Sequence, residues 1–448
     1  MMNVLDGCRC IAISAVVWGG MAVLPAMADT MPPEAVSERL ELRLTLKEAI
    51  DVALNNNPNV RLYKERIEGA RGAVATQFGA LLPNVSSSVR QSQQTLFRGT
   101  LGLAPVRSDP FSIFDVRVNA SQNLFSLSLI QRWRASKESL NVAEIESEGA
   151  KADAISAVAL RYMEVLKADA SVKMREANMQ VFTELLAFVR RRQGGGMATG
   201  LDAARLESQL ESERQQLTAA RSEVERIKLN LTNALGIVLD VKLILDDELK
   251  TDVGDPPTLG DALESAVANR PEVQAQATRI KAAELSYSST TGERLPSLVA
   301  QGDYGLIGNR WNNNVDTYNM AIMLQVPIFD GAQREGRIRE SRSVLQQEGI
   351  KFQGIINQVK MEVREALVTM QSAKEQVAIS QGGMKAALKE LQFARERFAV
   401  LTAQSNLEVT NALNSVSRAR DNAVEALFRL NAARIHLARA QGRLDMLY

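Results

Sequence analysis

The chain has 448 residues, of which 46% are hydrophobic and 23% are charged, enough for a large core or an elongated assembly. Its formal net charge of +1 excludes a broad electrostatic basis for nucleic-acid binding. Aromatic residues make up only 5%, whereas Ala, Leu, Gln, Glu and Arg are abundant. This composition favours long helices packed through small side chains over a globular enzyme.

Residues 1–28 have the features of a secretory signal peptide. Arg9 precedes an apolar run at 11–24, and the Ala-Met-Ala sequence at 26–28 provides a cleavage site before Asp29. A transmembrane helix is the alternative, but the apolar run is short for a span of about 20 residues. We therefore expect export of a mature chain that begins at Asp29.

Both cysteines of the chain, Cys8 and Cys10, lie in this N-terminal segment and precede its apolar run, which is not the position of a lipid-anchor cysteine. The mature chain would contain no cysteine, which excludes disulfides and thiolate metal sites. No later segment approaches the ~18 apolar residues of a spanning helix. If the mature chain enters a membrane, it must therefore do so as a β-barrel.

The remaining sequence is an internal duplication. The phrase NNNPNVR at 55–61 returns as ANRPEVQ at 268–274, and the two prolines differ by 271 − 58 = 213 positions. The same shift relates many other residues without a gap, which indicates two copies of one long unit. We divide the mature chain into repeat 1 (29–245), a linker without periodicity (246–257) and repeat 2 (258–448).

Each repeat begins with two short helices. Thr45 and Thr258 each have an acidic residue three positions later, which is the pattern of a capping box at a helix start. Pro58 and Pro271 then interrupt the helix and restart it, because the residue before a proline is disfavoured in the α region. The second helix of each repeat ends before a Leu-Pro pair.

After each Leu-Pro pair the hydrophobic period changes to two, which predicts β-hairpins at 84–123 and 297–326. Segments of about ten residues with one apolar and one polar side are typical of membrane barrels. A half-buried soluble sheet is the alternative. The strands are joined by loops rich in Gly, Pro and Asn, predicted at 97–110 and 305–317.

Very long helices follow the hairpins. They start at Ser126 and Asp330 and continue without proline to about Gln193 and Phe398, a length of ~100 Å. Breaks at 193–202 and 398–408 then lead into return helices, where the shift becomes 407 − 201 = 206. In repeat 2 the return helix has a seam with alternating steps of four and three, as coiled coils require. Repeat 1 keeps this seam but interrupts it once, at Glu213.

The order and content of these motifs resemble the TolC-like outer-membrane factor family, also called outer membrane efflux proteins. The resemblance covers essentially the whole mature chain, in order and twice. Its carriers are LTLKEAIDVALNNNPNV, TLGDALESAVANRPEV, QVPIFDGAQREGRI, SNLEVTNAL and the terminal ARAQG.

The resemblance implies a mainly α fold with a small β part. It implies an internally duplicated long-helix coiled-coil tunnel, with four strands contributed to a shared trimeric 12-stranded transmembrane β-barrel. Independently, four strands cannot close a barrel, and bacterial barrels begin at about eight strands. The chain must therefore associate. This arithmetic permits two copies or three, and the number three comes from the resemblance.

The resemblance also implies a function without catalysis. The chain would be the outer-membrane exit duct of a tripartite efflux or type I secretion system, extending into the periplasm as a homotrimer in outer-membrane lipid. A periplasmic adaptor (membrane fusion) protein and an inner-membrane pump would be its partners. The alternative is a secreted or periplasmic coiled-coil scaffold without channel activity. We expect no cofactor, no metal and no nucleic-acid partner.

Three groups of site residues follow from the resemblance and from the pattern. The adaptor would dock at the two breaks, on Thr199, Gly200, Leu201, Asp202, Ser405, Asn406, Leu407 and Glu408. Charged candidates for a gate near the tips are Arg190, Arg191, Arg192, Glu390, Arg395, Glu396 and Arg397. The polar residues expected in the barrel lumen are Asp115, Arg117 and Asn119.

The gate candidates depart from the family pattern. The family commonly has acidic rings near the tunnel entrance, whereas AALKELQFARER at 386–397 offers two glutamates among several cations. Cation-selective gating is therefore in doubt here. Arginines 190–192 also have a simpler explanation, because cations are favourable at a helix C-terminus.

Other motifs carry no chemistry. His436 is the only histidine, and its position beside the seam predicts packing or a solvated face rather than a metal or catalytic site. Glycines 194–196 lack the Gly-Lys-Ser/Thr of a phosphate loop and predict a turn between helices. Trp311 is either an interfacial anchor or an ordinary loop aromatic.

Overall fold

The computed structural model describes residues 40–102, 104–251, 254–400 and 407–447. The expected signal peptide with Cys8 and Cys10 lies outside these residues, as do Ser405 and Asn406 of the second break. Among the described helices, none combines the length and apolar composition needed to cross a membrane.

Helices dominate both repeats. Repeat 1 contains β1 Leu40–Leu44, α1 Leu46–Asn56, α2 Pro58–Gly79, β2 Asn84–Gln94, a 3₁₀ turn Arg98–Leu101, β3 Phe111–Phe125, α3 Leu127–Gly194, α4 Gly200–Leu235 and β4 Val241–Leu245. Repeat 2 contains α5 Leu259–Asn269, α6 Pro271–Gly292, β5 Ser297–Arg310, β6 Asn313–Gln325, α7 Gln333–Val400, α8 Leu407–Gln441 and a 3₁₀ turn Leu444–Leu447.

The duplication is visible in the helix boundaries. Both ends of α5 and α6 follow those of α1 and α2 at the shift of 213, and α3 and α7 have 68 residues each. The repeats therefore differ in length within their β-hairpins. Residues 95–110 join β2 to β3, whereas only Trp311 and Asn312 join β5 to β6.

The predicted loop at 305–317 is wrong, because most of it belongs to the two strands of this hairpin. Its glycines suggested a loop, but they allow close approach between strands. A Cβ at Gly308 would lie 1.9 Å from the carbonyl oxygen of Asn313. Glycine here is needed for a tight hairpin rather than for an irregular loop.

The predicted helix starts and breaks of the short helices are confirmed. The Thr45 hydroxyl accepts from the Glu48 N–H, and the Glu48 carboxylate accepts from the Thr45 N–H at 2.8 Å, which completes the capping box. Pro58 and Pro271 occupy the first turn of α2 and α6. Their missing N–H would have no partner inside the helix at that position.

The start of α7 differs from the prediction. The helix begins at Gln333 rather than at Asp330, because Gly331 and Ala332 both have positive φ (70° and 66°) and leave the right-handed helical region. Asp330 still contributes to the start, since its carboxylate accepts from the N–H of Arg334 at 3.0 Å.

A short sheet of β1 and β4 was not predicted. Leu44 of β1 and Leu243 of β4 are buried in a core with α1, the middle of α3 and the end of α4. The hydroxyl of Tyr162, on α3, lies 3.0 Å from the carbonyl oxygen of Leu44 and 2.8 Å from the Asp247 carboxylate. This core ties the start of repeat 1 to the residues that lead into the linker.

The long helices pack in antiparallel pairs, α3 with α4 and α7 with α8, and α3 also contacts α8. The seam leucines of α4, such as Leu206 and Leu231, are buried, as are Leu430 and Ala433 of α8. Each return helix ends at a left-handed glycine, Gly236 or Gly442, which packs against the break before the second short helix. We call α3 with α4 hairpin one, and α7 with α8 hairpin two.

Candidate functional site at the sheet face and the helix tips

The four strands of the two β-hairpins form one antiparallel sheet in the order β2-β3-β5-β6. Within the described part of the chain, β2 and β6 each pair on one side only. The β3–β5 register places Arg117 opposite Gly305 and Val118 opposite Tyr304. Between the register shifts at Asn123/Phe125 and Gly308/Arg310, side chains therefore alternate between the two faces of this sheet.

One face of the sheet is apolar and exposed. The β5–β6 register aligns Tyr304 with Tyr318 and Gly302 with Met320, and the adjacent position of β6 on this face is Ile322. The side chains of Tyr304, Tyr318, Met320 and Ile322 on this face are exposed in the single chain. A contiguous exposed apolar surface of this kind marks contact with lipid or protein.

The other face carries Asp115, Arg117 and Asn119, which are half-buried. Arg117 contacts Asp303 of β5 and lies 3.3 Å from the Asp115 carboxylate. Its second guanidinium nitrogen donates to the Thr317 hydroxyl of β6 at 3.1 Å.

Arg117 reaches β6 by passing over Gly305. A Cβ at Gly305 would lie 2.5 Å from the Val116 carbonyl oxygen and 3.1 Å from the Cβ of Arg117. The missing side chain thus lets one guanidinium span three strands. Asp303, Thr317 and Gly305 were not singled out from the sequence, and only the strand register identifies them.

The first tip is a tight, capped turn. After α3, Gly196 adopts a positive φ of 72°, and Thr199 caps α4 by accepting from the Asp202 N–H at 3.2 Å. The Asp202 carboxylate accepts from Thr199 in return and is buried. Asp202 therefore stabilises the turn, while Leu201 beside it is 59% exposed.

The second tip is described from Leu407 onward. Leu407 is 49% exposed, which matches Leu201 at the same position of repeat 1. Glu408 lies 3.5 Å from Arg397 of α7, so this ion pair joins the two helices of hairpin two.

Most gate candidates either contact a residue of their own helical hairpin or are exposed on its surface. Arg190 pairs with Glu207 of α4, and Glu396 accepts from Gln392 one turn earlier at 2.9 Å. Three other candidates are exposed on the helix surface: Arg191, Glu390 and Arg395.

Arg192 differs, because it joins the two hairpins. Its guanidinium donates to the Phe398 carbonyl oxygen of α7 at 2.7 Å and lies 5.1 Å from the centre of the Phe398 ring. Phe188 of α3 packs edge-on against Phe398, with ring centres 5.9 Å apart. We call Phe188, Arg192 and Phe398 the tip clamp.

Polar contacts between α3 and α8 were missed by the sequence analysis. Asn178 donates to the Ser417 hydroxyl at 2.8 Å and accepts from Arg420 at 2.7 Å. Arg175 donates to both carboxylate oxygens of Asp421, at 3.0 and 3.1 Å. The paired residues are more than 200 positions apart in the chain. In the sequence each is simply a polar residue on a long helix, and nothing in its local pattern identifies its partner.

Lys167 of α3 and Glu425 of α8 form a further ion pair between these two helices. Lys167, together with Arg429, holds the pKa of Glu425 below its usual range.

Two residues discussed in the sequence analysis lie on the surface. His436 of α8 is exposed, in keeping with the solvated face that its position allowed. Trp311 is exposed in the turn between β5 and β6.

Comparisons with known proteins agree with this architecture. The family model described as outer membrane efflux protein matches residues 49–237 and 262–443, one segment in each repeat. The outer membrane efflux protein BepC of Brucella suis is 24% identical over 449 residues, which cover 99% of this chain and 92% of that protein.

Two further matches, one to a sequence and one to a solved structure, cover different shares of this chain. The pyoverdine export outer membrane protein OpmQ of Pseudomonas putida is 23% identical over 309 residues, which are 68% of this chain and 65% of OpmQ. The solved structure of the outer membrane protein VceC from Vibrio cholerae superposes with a TM-score of 0.76 at 17% identity, covering 89% of this chain and 96% of VceC. At this identity the structural likeness concerns the fold.

Proposed function

Because the chain belongs to the outer membrane efflux protein family, we propose that it is the outer-membrane exit channel of a tripartite efflux or type I secretion system. The observation that carries the proposal is a sheet with one exposed apolar face and one polar face, continuous with two 68-residue helices. Such a chain joins a lipid-facing part to a long periplasmic part. It conducts solutes passively and performs no catalysis.

The sheet supports a shared assembly. Its apolar face needs lipid, and the free edges of β2 and β6 need partners, because unpaired backbone groups are costly in a membrane. Three copies place four strands each in one closed barrel. The polar face with Asp115, Arg117 and Asn119 then lines the lumen.

The tips support docking of a periplasmic adaptor, through which an inner-membrane pump supplies energy and selectivity. Leu201 and Leu407 are exposed apolar side chains at the starts of α4 and α8. Thr199 caps α4, and the ion pair between Glu408 and Arg397 joins the start of α8 to α7. A leucine at a helix start that is held in this way can bind an apolar groove without a large loss of conformational entropy.

The closed gate is held by contacts between the hairpins. The tip clamp and the α3–α8 pairs made by Arg175 and Asn178 must break before hairpin two can move away from hairpin one. Of the seven gate candidates, Arg192 is the one we assign to closure. Arg190 and Arg397 stabilise their own hairpins instead.

Purification and electrical recording test this proposal. The expressed protein should fractionate with outer membranes, require detergent for extraction, cross-link as a trimer and conduct ions in a planar lipid bilayer. Extraction without detergent as a monomer, with no conductance, would favour the periplasmic scaffold and refute the channel.

A further inference from the structure

Glu213 is a buried carboxylate inside a coiled-coil seam. It occupies the seam position between Leu210 and Leu217 of α4, and its residue is only 2% exposed. The corresponding position of repeat 2 is Ala419, which packs beside the apolar tip core. Alanine at this position therefore suffices for packing in the other copy of the same helix pair.

The surroundings of Glu213 leave its charge incompletely satisfied. Its Oε2 lies 3.8 Å from the Arg175 guanidinium, beyond hydrogen-bond distance, and has no hydrogen-bond donor among the described residues. Arg175 instead donates to Asp421 of α8. A buried carboxylate in this position lowers stability, and burial raises the pKa of Glu213 against the opposing charge of Arg175.

A polar cavity gives the Arg175 side chain room to move. The cavity has a volume of about 700 Å³ and includes Arg175, Glu213 and Asp421 in its wall. Amide side chains of α4 and α8, including Gln209 and Asn414, complete the lining. A shift of about 1 Å would bring the guanidinium from its present place into hydrogen-bond distance of Glu213.

We propose that Arg175 is a two-position latch, bonded to Asp421 when the hairpins are together and to Glu213 when they part. This inference rests on the proposed channel function, since the latch acts on its gate. Glu213 is a positioning residue that gives Arg175 a partner within its own hairpin and thereby favours the parted state.

The exposure of the two carboxylates explains the direction of transfer. The Asp421 side chain is 40% exposed, so water can solvate it when Arg175 leaves. The Glu213 side chain is only 3% exposed, and Arg175 is the cation that lies within 4.0 Å of its carboxylate among the described residues. Without Glu213, separation of α8 would leave the half-buried guanidinium of Arg175 without a carboxylate partner, which is unfavourable.

Conductance of the purified full chain in planar bilayers tests the latch. Glu213→Ala, which copies repeat 2, and the isosteric Glu213→Gln should each lower the open fraction about tenfold, since a hydrogen bond to a charged group is lost in the open state. Asp421→Asn should raise it by a similar factor. The control is Glu211→Ala, because Glu211 is exposed and pairs with Arg214 within α4.

Thermal unfolding of the same samples separates the latch from a purely structural role. A structural Glu213 would change the melting temperature while leaving the open fraction at the wild-type value, and that result overturns the latch. If wild-type protein conducts and Arg192→Leu opens it, but both Glu213 variants conduct like wild type, the latch fails alone. A wild-type protein without conductance overturns the channel and the latch together.

Discussion

Replacing Arg192 with leucine should shift the gate toward its open state. The substitution removes a charge-assisted hydrogen bond to Phe398, worth about 1.5–3 kcal/mol, and cation–π contacts with Phe188 and Phe398 worth about 0.5–1 kcal/mol each. Because Arg192 is only half-buried, we take the low end of each range, which gives about 2.5 kcal/mol per protomer. This corresponds to about a 60-fold change in the ratio of open to closed hairpins.

Single-channel recording of the purified protein measures this ratio directly. Arg191→Leu removes the same charge from the adjacent, exposed position and should leave the open fraction unchanged. Arg192→Lys keeps the charge but loses the planar stacking group, and should give an intermediate value. If Arg192→Leu and Arg191→Leu conduct alike, the tip clamp does not hold the gate.

Predictions for three further variants follow from the structure. Gly236→Ala should destabilise the protein by about 2 kcal/mol in thermal unfolding, because φ is 73° and the new Cβ would lie 2.5 Å from the Asn56 carbonyl oxygen. Leu201→Asp combined with Leu407→Asp should abolish export while the trimer persists in cross-linking. Glu213→Gln should raise the free energy of unfolding by about 1 kcal/mol near neutral pH and should therefore unfold at a higher temperature than wild type. The stability difference between Glu213→Gln and wild type should shrink on acidification. Because burial raises the pKa of Glu213, this carboxylate takes up a proton at a higher pH in the folded state than in the unfolded state. Wild type therefore gains stability as the pH falls through the folded-state pKa.

Each of these expectations has a clear contrary result. Gly72→Ala is the matched control for the glycine, since no atom lies within 4 Å of the place that an alanine Cβ would occupy and alanine is favoured in a helix. Equal melting temperatures for Gly236→Ala and Gly72→Ala would show that the contact at the helix break is not tight. Unchanged export in the double leucine variant would rule out docking at the tips. A pH-independent difference for Glu213→Gln would mean that burial does not perturb this carboxyl group.

Local signals in the sequence were sufficient for much of the fold. Thr45 with Glu48, and the prolines at 58 and 271, placed the short helices, because caps and proline restrictions act within a few residues. The alternation of residues on β3 identified the side of the strand that carries Arg117. The seam of the return helices followed from the heptad spacing alone.

Features that depend on the placement of distant segments could not be predicted. The strands β1 and β4 are five residues each, too short for a clear period, and they pair across nearly the whole first repeat. The start of α7 at Gln333 depends on the positive φ of Ala332, which an alanine does not signal. The glycines of β5 suggested a loop, whereas in the structure Gly308 lies close to β6 and Gly305 lies close to β3.

The sequence by itself determined the duplication, the helical and strand periods and the site of each break, since these depend on side chains that are neighbours along one element. Only the tertiary structure decided that Arg192 meets Phe398, that Arg117 spans to Thr317 and that Arg175 lies between Asp421 and Glu213. Such contacts depend on the rotation and axial position of one helix or strand against another. Packing of many side chains sets those quantities together, and no single stretch of sequence contains them.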